Sequence, residues 1–483
     1  MSSLKEKTAK GLFWGGMSNG VQQLLSLVFG LFLARLLSPG EYGMVGMLAI
    51  FSAIASSLCN SGFVVSLINR KTIRYEDYNS VFLFSFGVAL SCYVILFVAA
   101  PLIADFYHQP ELVKLSRWSF LGFVIASTSI SPSAHLIKTM KIKEKSIAEI
   151  VALFVSGVVG VMLALKGFSY WSIVVQTLLF AAIRSFLYWY FDDWKPSLKW
   201  DPTPVKEMLR FGFKLLITSL FSIFNSYLFT LILGRYYSEK EVGHYNQASK
   251  WSTMGSSLVS GMITSIAQPV LVEVEDTGER QLRVFRKMVR FTAFVSFPAM
   301  FGLSFVAPEF IEIAITAKWL PSAQILRVLA ISGAFLPLAE LFSYMVLSKG
   351  DSTAYMWSTI SLFIVLLPAV LFAHSGGIML MIEIYALINI LWLGVWFLLV
   401  RHKIGYTFFQ MLKDIVPFLG ITALIIFVVY WLTLSITNIY WLFISKVLLV
   451  AGLYVLVMHI SKSVILSECI QYVKDKLFHR RVG

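Results

Sequence analysis

Long apolar segments alternate along this chain with short polar segments that are rich in lysine and arginine. A helix that crosses a bilayer needs about 20 predominantly apolar residues, and the pattern predicts fourteen such helices. They are expected at residues 11–37, 41–69, 79–104, 113–137, 146–166, 169–191, 209–236, 241–272, 288–308, 319–347, 352–374, 377–400, 411–433 and 438–460. The segments are too continuous for a transmembrane β-barrel, whose strands alternate apolar and polar residues. The sequence therefore predicts an all-α polytopic membrane protein.

The composition excludes several other classes of protein. Only 14% of the 483 residues are charged, against about 25% in soluble globular proteins. The three cysteines have neither disulfide nor metal-ligand spacing, and no phosphate-binding G-x-x-x-x-G-K-[ST] loop is present. We therefore expect no catalytic group, no metal, no cofactor and no ATP. The net charge of +14 is explained by basic cytoplasmic loops, so nucleic acid is not an expected partner.

The distribution of basic residues predicts the topology. When the N-terminus is placed in the cytoplasm, 28 of the 40 lysines and arginines fall in cytoplasmic segments and eight in outer loops or nearby helix ends. This asymmetry is what the positive-inside rule describes. Both termini and the loop at 273–287 are therefore predicted to be cytoplasmic.

The chain contains an internal repeat with an offset of 200 residues. FGLFLARLLSPGEYG (29–43) and FTLILGRYYSEKEVG (229–243) agree at 7 of 15 positions, although the second copy lacks the proline and the first glycine of SPGEYG. The repeat predicts two six-helix lobes at 1–194 and 209–404, a cytoplasmic linker at 195–208 whose prolines break any helix, and two extra helices with a tail at 405–483.

An even number of helices gives both lobes the same orientation, related by an axis along the membrane normal. Two such bundles are the architecture of alternating-access transport. Duplication of a purely structural bundle is the alternative.

Four repeat-related arginines are candidates for binding an anionic ligand. Arg35 and Arg235 end helices 1 and 7 on the outer side, and Arg117 and Arg327 lie in the outer part of helices 4 and 10. Ionisable groups within a span usually face a cavity or a partner. The alternative is that they extend to the lipid headgroups, which is also the expectation for Arg184 near the inner end of helix 6.

Other polar residues within the spans are further candidates. Lys250 lies near the middle of helix 8, with Asn246 and Gln247 about one turn away, and is expected to line a water-filled cavity. Asn19 and Gln22 in helix 1 suit a hydroxyl-rich ligand, with hydrogen bonding between helices as the alternative.

Three acids within the spans are candidates for carrying a coupling ion. They are Glu149, Glu340 and Glu383. The alternative for each is pairing with a nearby base or reaching the interface.

Four segments carry a family resemblance. LARLLSPGEYGMVGM (33–47), LRFG (209–212), HYNQASK (244–250) and FPAMFGL (297–303) occur in this order along the chain. They resemble the bacterial polysaccharide transporter, or lipid-linked oligosaccharide flippase, family of the multidrug/oligosaccharidyl-lipid/polysaccharide exporter superfamily. The match is closest to the branch that includes colanic acid exporters.

The resemblance implies a V-shaped pair of lobes in the bacterial cytoplasmic (inner) membrane. It implies transfer of an undecaprenyl-diphosphate-linked oligosaccharide from the cytoplasmic to the periplasmic leaflet. Membrane lipids, a polysaccharide polymerase and chain-length machinery are the further partners that it implies. A basic, amide-bearing cavity with few acids agrees with an anionic substrate. The alternatives are a cation-coupled multidrug exporter of the same fold and a membrane glycosyltransferase or polysaccharide ligase.

Overall fold

The computed structural model describes residues 4–60, 62–69, 73–197, 201–273, 278–463, 465–468 and 471. These residues form helices, turns and loops with no strand, so the all-α prediction is confirmed. Thirteen helical segments within this part of the chain are long and apolar enough to cross a membrane. The fourteenth predicted span, 241–272, also forms a helix, but its recurring serines and threonines make it too polar to meet the same criterion.

Contacts divide the chain into two compact units, Met1–Asn246 and Gln247–Gly483. The first contains ten helices and the beginning of an eleventh, among the described residues: α1 (Leu4–Leu36), α2 (Pro39–Asn60), α3 (Phe63–Asn69), α4 (Tyr75–Phe106), α5 (Leu112–Ser119), α6 (Leu121–Ser127), α7 (Ile130–Lys138), α8 (Ile142–Leu165), α9 (Trp171–Phe191), α10 (Pro202–Tyr236) and α11 (Glu239–Glu273). Helix α8 packs against both α1 and α9, and α10 packs against α2 and α4. The packing of α10 explains why this unit extends past the linker.

The second unit contains the rest of α11 and eight further α-helices in the described residues. They are α12 (Gly278–Phe305), α13 (Ala307–Ile315), α14 (Leu320–Gly333), α15 (Leu336–Ser348), α16 (Ser352–Ala373), α17 (Ile378–Ile404), α18 (Phe408–Thr433) and α19 (Ile439–Ile460). Helix α12 is central, with contacts to α14, α15, α18 and α19. The predicted lobes 1–194 and 209–404 follow the repeat rather than these contacts and stay a prediction.

A buried carboxylate holds α12 against α18. Asp414 is fully buried and accepts hydrogen bonds from Arg286 Nε at 2.8 Å, Arg290 Nε at 2.5 Å and the Tyr406 hydroxyl at 3.1 Å. A buried charge is tolerated when it is paired and its remaining lone pairs are satisfied, as they are here.

Several predicted single spans are broken into shorter helices. Span 41–69 divides at Gly62, whose φ of 73° ends α2 in the left-handed region. Span 113–137 divides into α5, α6 and α7. Near the second break, the hydroxyls of Ser127, Thr128 and Ser129 each donate to a carbonyl three residues back at 2.7 Å, and such bonds compete with the helical ladder.

The predicted linker is shorter than expected. We predicted that its prolines break any helix, but α10 begins at Pro202, and Asp201 caps it by accepting from the backbone N–H of Thr203 at 2.9 Å. Proline is tolerated in the first helical turn, where the N–H has no intrahelical partner. The predicted loop 273–287 is likewise mostly helical, because α12 begins at Gly278.

Besides residues 1–3 of the N-terminus and residues 464, 469 and 470 of the tail, parts of three predicted cytoplasmic segments lie outside the described residues. These are residues 198–200 of the linker, residues 274–277 of the loop at 273–287, and the C-terminal residues 472–483.

Candidate functional site

A polar cavity of about 290 Å³ lies inside the first unit. Helices α2, α3, α6, α7, α8 and α9 surround it. The hydroxyl and charged groups of its lining that can bind a ligand include Ser127, Ser129, Lys145, Glu149, Arg184 and Tyr188. Ionisable groups at membrane depth are rare and mark ligand or ion paths, so we take this cavity as the candidate site.

Glu149 is the acid of this cavity, and both of its oxygens are occupied. Its Oε1 accepts from Lys145 Nζ at 2.5 Å and from the Tyr188 hydroxyl at 2.6 Å. Its Oε2 accepts from Gln22 Nε2 at 3.0 Å, and the same amide donates to Ser18 Oγ at 2.8 Å. The negative charge of Glu149 is therefore compensated within the protein.

The sequence places these groups through helical spacing. Lys145 and Glu149 are four residues apart on α8, and Arg184 and Tyr188 are four residues apart on α9, so each pair lies on one helix face. The two helices approach closely because Gly160 leaves room for the side chain of Gln176. Small residues allow such close packing in membrane proteins.

Arg184 is the cation of the cavity that remains uncompensated. Its Nε is buried without a hydrogen-bond partner, and no ion pair of Arg184 is found among the described residues. The guanidinium lies 5.1 Å from the ring centroid of Phe180, one turn earlier on the same helix. With the Lys145–Glu149 pair neutral, the cavity carries the positive charge of Arg184.

The structure brings two of the predicted residues together here, Gln22 and Glu149. Glu149 is paired with Lys145, and its role in ion coupling stays a prediction. Sequence reasoning missed Lys145, Arg184 and Tyr188 as site residues. The four-residue spacing on two neighbouring spans was the signal for them.

Two of the predicted arginines contact aromatic residues near helix ends of the first unit. Arg235 donates from Nη1 to the carbonyl of Phe106 at 2.7 Å and lies 2.9 Å from Nε2 of His108. The guanidinium of Arg117 lies 4.3 Å from the ring centroid of Phe97, and its Nε is buried without a hydrogen bond. Arg235 therefore holds the end of α4, while Arg117 rests on an aromatic face.

The other two predicted arginines are exposed. Arg35 lies on the last turn of α1. Arg327 lines a second cavity, of about 460 Å³, together with Lys446. The structure does not gather the four arginines at the Glu149 cavity, and their role in binding stays a prediction.

A buried ion pair lies next to that second cavity. Lys446 Nζ on α19 donates to Oε1 of Glu309 on α13 at 2.6 Å, and each side chain is 9% exposed. Lys446 is thus neutralised within the second unit.

The three residues of the predicted polar face of α11 differ in burial and in hydrogen bonding. Asn246 accepts from Thr230 Oγ1 at 2.9 Å through its amide oxygen. Gln247 is 1% exposed, and its amide has no hydrogen-bond partner among the described residues. Lys250 is half-buried, and no hydrogen bond or ion pair of its side chain is found among the described residues.

Three further predicted residues lie apart from the cavity. Asn19 and Glu383 are exposed on α1 and α17. Glu340 is half-buried on α15, and its Oε2 has no hydrogen-bond partner in the described structure.

The two copies of the repeat meet at a pair of glycines. A Cβ added at Gly43 would lie 1.7 Å from the carbonyl oxygen of Glu239, and one added at Gly243 would lie 1.8 Å from that of Pro39. These neighbours, 39 and 239, are themselves related by the repeat offset. We call this arrangement the glycine contact. The beginnings of α2 and α11 therefore touch backbone to backbone.

Residues after α4 strengthen the glycine contact. The Tyr107 hydroxyl donates to the carbonyl of Met47 at 3.1 Å, and its ring packs against Gly234. Gln109 Nε2 donates to Oε2 of Glu239 at 2.9 Å. The connection between α4 and α5 thus contacts both copies of the repeat, through Tyr107 and Gln109.

Comparison with known proteins identifies the family. The family model described as "Polysaccharide biosynthesis protein" matches residues 32–324, which is more than half of the chain. The chain belongs to this family. The resemblance seen in the sequence is confirmed.

Two curated members of polysaccharide pathways are similar to it. The lipopolysaccharide biosynthesis protein WzxC of Escherichia coli (strain K12) is 25% identical over 354 residues, covering 72% of this chain and 71% of that protein. The teichuronic acid biosynthesis protein TuaB of Bacillus subtilis (strain 168) is 26% identical over 442 residues, covering 90% and 91%.

A solved structure shares the fold. The lipid II flippase MurJ, in an inward closed conformation, superposes with a TM-score of 0.77 at 15% identity, covering 94% of this chain and all of that one. This member of the polysaccharide biosynthesis family is a multi-pass membrane protein, and a transporter rather than an enzyme. The glycosyltransferase or ligase alternative is thereby excluded.

Proposed function

We propose that this protein moves a lipid-linked oligosaccharide from the cytoplasmic to the outer leaflet of the bacterial inner membrane by alternating access. The observation that carries the proposal is a membrane-embedded polar cavity in which Arg184 is an uncompensated cation and the acid is neutralised. A diphosphate or acidic glycan that leaves water needs charged hydrogen-bond donors to replace its hydration. Its lipid tail remains in the bilayer.

The multidrug exporter remains the second candidate because members of that class share the fold. A multidrug resistance transporter of the MATE family, solved facing inward, has a TM-score of 0.63 and is 17% identical. A cationic drug is favoured by an available carboxylate, which attracts its charge. Glu149 already accepts from Lys145, Tyr188 and Gln22, so the cavity favours an anionic ligand.

The proposal is tested in proteoliposomes that contain an undecaprenyl-diphosphate-linked oligosaccharide with a fluorescent sugar. A membrane-impermeant quencher added outside reports how quickly labelled lipid crosses. We expect exchange roughly tenfold or more faster than in protein-free vesicles, and no protein-dependent movement of the cationic dye ethidium. Movement of ethidium without movement of the lipid would establish the second candidate instead.

The proposed orientation, with cytoplasmic termini, is tested by cysteine labelling in intact cells. Exposed Glu279 at the beginning of α12 is proposed to be cytoplasmic, and exposed Lys114 in α5 to face outward. In a background without native cysteines, an impermeant maleimide should label Lys114→Cys and leave Glu279→Cys unlabelled until the cells are permeabilised. The reverse pattern would invert the topology.

A further inference from the structure

The groups around Arg184 differ in whether they can donate or accept hydrogen bonds. The hydroxyls of Ser127 and Ser129 donate to the carbonyls of Val124 and Ala126 at 2.7 Å. A serine hydroxyl has one hydrogen to donate and two lone pairs to accept with. Both hydrogens are used within the protein, so these two oxygens can only accept from a ligand.

Tyr188 behaves in the same way. Its hydroxyl donates to Oε1 of Glu149 at 2.6 Å, so its oxygen can only accept a further hydrogen bond. Ser127, Ser129 and Tyr188 are 1%, 4% and 3% exposed, so they are fixed parts of the wall. The cavity therefore presents the guanidinium of Arg184 beside these neutral acceptors. Other polar side chains in its lining belong to Ser56, Asn60, Ser133 and Lys145.

A guanidinium beside acceptor oxygens is complementary to a ligand that carries both an anionic group and hydroxyl groups. An anionic group satisfies Arg184, whose planar fork binds two oxygens of a carboxylate or phosphate. Hydroxyl groups on the same ligand donate to the serine and tyrosine oxygens. An inorganic diphosphate provides the first kind of group but has no carbon-bound hydroxyls. A neutral sugar provides only the second kind.

The size of the cavity limits the ligand further. Its volume of about 290 Å³ is at the lower limit of ligand pockets, which span roughly 300–1,000 Å³. Such a cavity holds one sugar unit and not an oligosaccharide.

We propose that the cavity at Arg184 binds one acidic sugar unit of the transported glycan. The anionic group of the sugar lies on Arg184, and its hydroxyls donate to Ser127, Ser129 and Tyr188. The protein would then select among glycans by the charge of a single residue. This inference rests on the proposed function, because it names the chemical class of the glycan that the transporter accepts.

Direct binding tests the inference. The full-length protein in lipid nanodiscs is titrated calorimetrically with methyl glucuronide, with the matched neutral methyl glucoside, and with inorganic pyrophosphate. We expect the glucuronide to bind about tenfold or more tightly than the other two, because each lacks one of the two kinds of group. Equal binding of the glucoside would overturn the acidic-sugar assignment. Preferential binding of pyrophosphate would assign the cavity to the diphosphate.

Variants locate the binding. Arg184→Gln should weaken glucuronide binding by about tenfold or more. Arg184→Lys, which keeps the charge but not the planar fork, should lie between Arg184→Gln and the wild type. Arg401→Gln, a change of the same kind at an exposed position near the end of α17, should leave binding unchanged. Unchanged binding in a folded Arg184→Gln protein would place the ligand elsewhere.

The two proposals fail in distinguishable ways. If the wild-type protein moves lipid-linked oligosaccharide but Arg184→Gln binds glucuronide normally, the site assignment is wrong and the proposed function stands. If the glucuronide binds through Arg184 but no lipid-linked oligosaccharide crosses, the proposed function fails while the binding site remains. Should Arg184→Gln not fold, as judged by its thermal unfolding, the preference of the wild type among the three probes decides.

Discussion

The two copies of the repeated turn, 38–47 and 238–247, begin their helices in the same way. In the first copy the backbone N–H of Glu41 donates to Ser38 Oγ at 3.4 Å, and in the second that of Glu241 donates to Ser238 Oγ at 3.4 Å. Serine followed three residues later by glutamate is the sequence of a capping box. The shared cap explains why serine and glutamate persist in both copies.

The copies differ away from the cap, and their differences are complementary. Small residues in the first copy face larger ones in the second: a Cβ at Gly40 would lie 3.4 Å from Cγ of Glu239, and one at Gly46 would lie 1.8 Å from Nδ2 of Asn246. Gly43 and Gly243 are identical because each faces the backbone of the other copy. Where equivalent positions of the two copies meet, both residues must be small. Elsewhere, a larger residue in one copy requires a smaller residue opposite it in the other copy.

The largest expected effect comes from enlarging the matched pair. Gly43→Ala and Gly243→Ala each place a methyl group within 1.8 Å of a facing carbonyl oxygen, so the helices must separate. Overpacking costs about 1–3 kcal/mol, and we expect polysaccharide export to fall by roughly tenfold or more. Export is measured as extracellular polysaccharide per cell at equal protein level.

Gly87→Ala is the matched control, because nothing lies within 4 Å of a Cβ at that position of α4. The Gly43→Ala/Gly243→Ala protein should be little worse than either single variant, since both relieve the same contact. Normal export in both single variants would show that the glycine contact has no part in transport.

A disulfide across the complementary pair is expected to have the next largest effect. The native cysteines at 59, 92 and 469 are first replaced by serine. Gly46→Cys/Asn246→Cys should then cross-link under mild oxidation, because a Cβ added at Gly46 would lie 3.1 Å from Cγ of Asn246. If transport requires the copies to separate, oxidation stops export and a reductant restores it. Gly87→Cys/Asn246→Cys should not cross-link. Full export by the cross-linked protein would mean that the copies stay together throughout transport.

Making the second copy resemble the first should have a moderate effect. Glu239→Pro keeps a residue that suits the first helical position but removes the acceptor of Gln109. A net hydrogen bond contributes about 0.5–1.5 kcal/mol, so export should fall by roughly two- to tenfold. Gln109→Ala should match it, and the two changes together should be no worse. Additive losses would show that Glu239 acts independently of Gln109.

The smallest expected effect concerns the N-terminal cap of α10, the helix that precedes the second copy of the turn. The backbone N–H of Thr203 donates to Asp201 and lowers the pKa of that carboxyl. Because the folded-state pKa is lowered, the cap stabilises α10 above the unfolded-state pKa and is lost as the pH falls through the folded-state pKa. Asp201→Ala should lower the melting temperature by about a degree or two at neutral pH, and the difference from wild type should vanish in acid. A difference independent of pH would exclude the charge of Asp201 as its cause.

Helix positions were predictable from sequence, but helix breaks were not. Apolar runs locate the spans because the bilayer imposes length and hydrophobicity. The break at Ser127–Ser129 depends on hydroxyl groups that bond to their own backbone, which hydropathy does not register. The beginning of α10 at Pro202 was missed because proline was treated as a breaker at every position, although it favours the first turn.

The site was less predictable than the fold. Gln22 and Glu149 were singled out because polar residues in apolar helices stand out; the structure joins them by a hydrogen bond, and their role as site residues stays a prediction. Arg184 was interpreted as a residue that extends to the headgroups, because its spacing to Tyr188 does not show which other helices line the same cavity. Asn246 was predicted to bind a ligand; its amide oxygen accepts from Thr230, and its role in binding stays a prediction. The partner of a polar residue depends on tertiary packing.

The buried pair of Lys446 and Glu309 has a consequence for how the protein is made. The two residues lie 137 positions apart, in α19 and α13, so the acid is synthesised long before the base. A lone lysine at the centre of a helix disfavours insertion by about 2.5–3.5 kcal/mol. The carboxylate that pairs with Lys446 is therefore already present when α19 is added. A chain truncated before Ile439 would leave Glu309 without the ion-pair partner that α19 supplies.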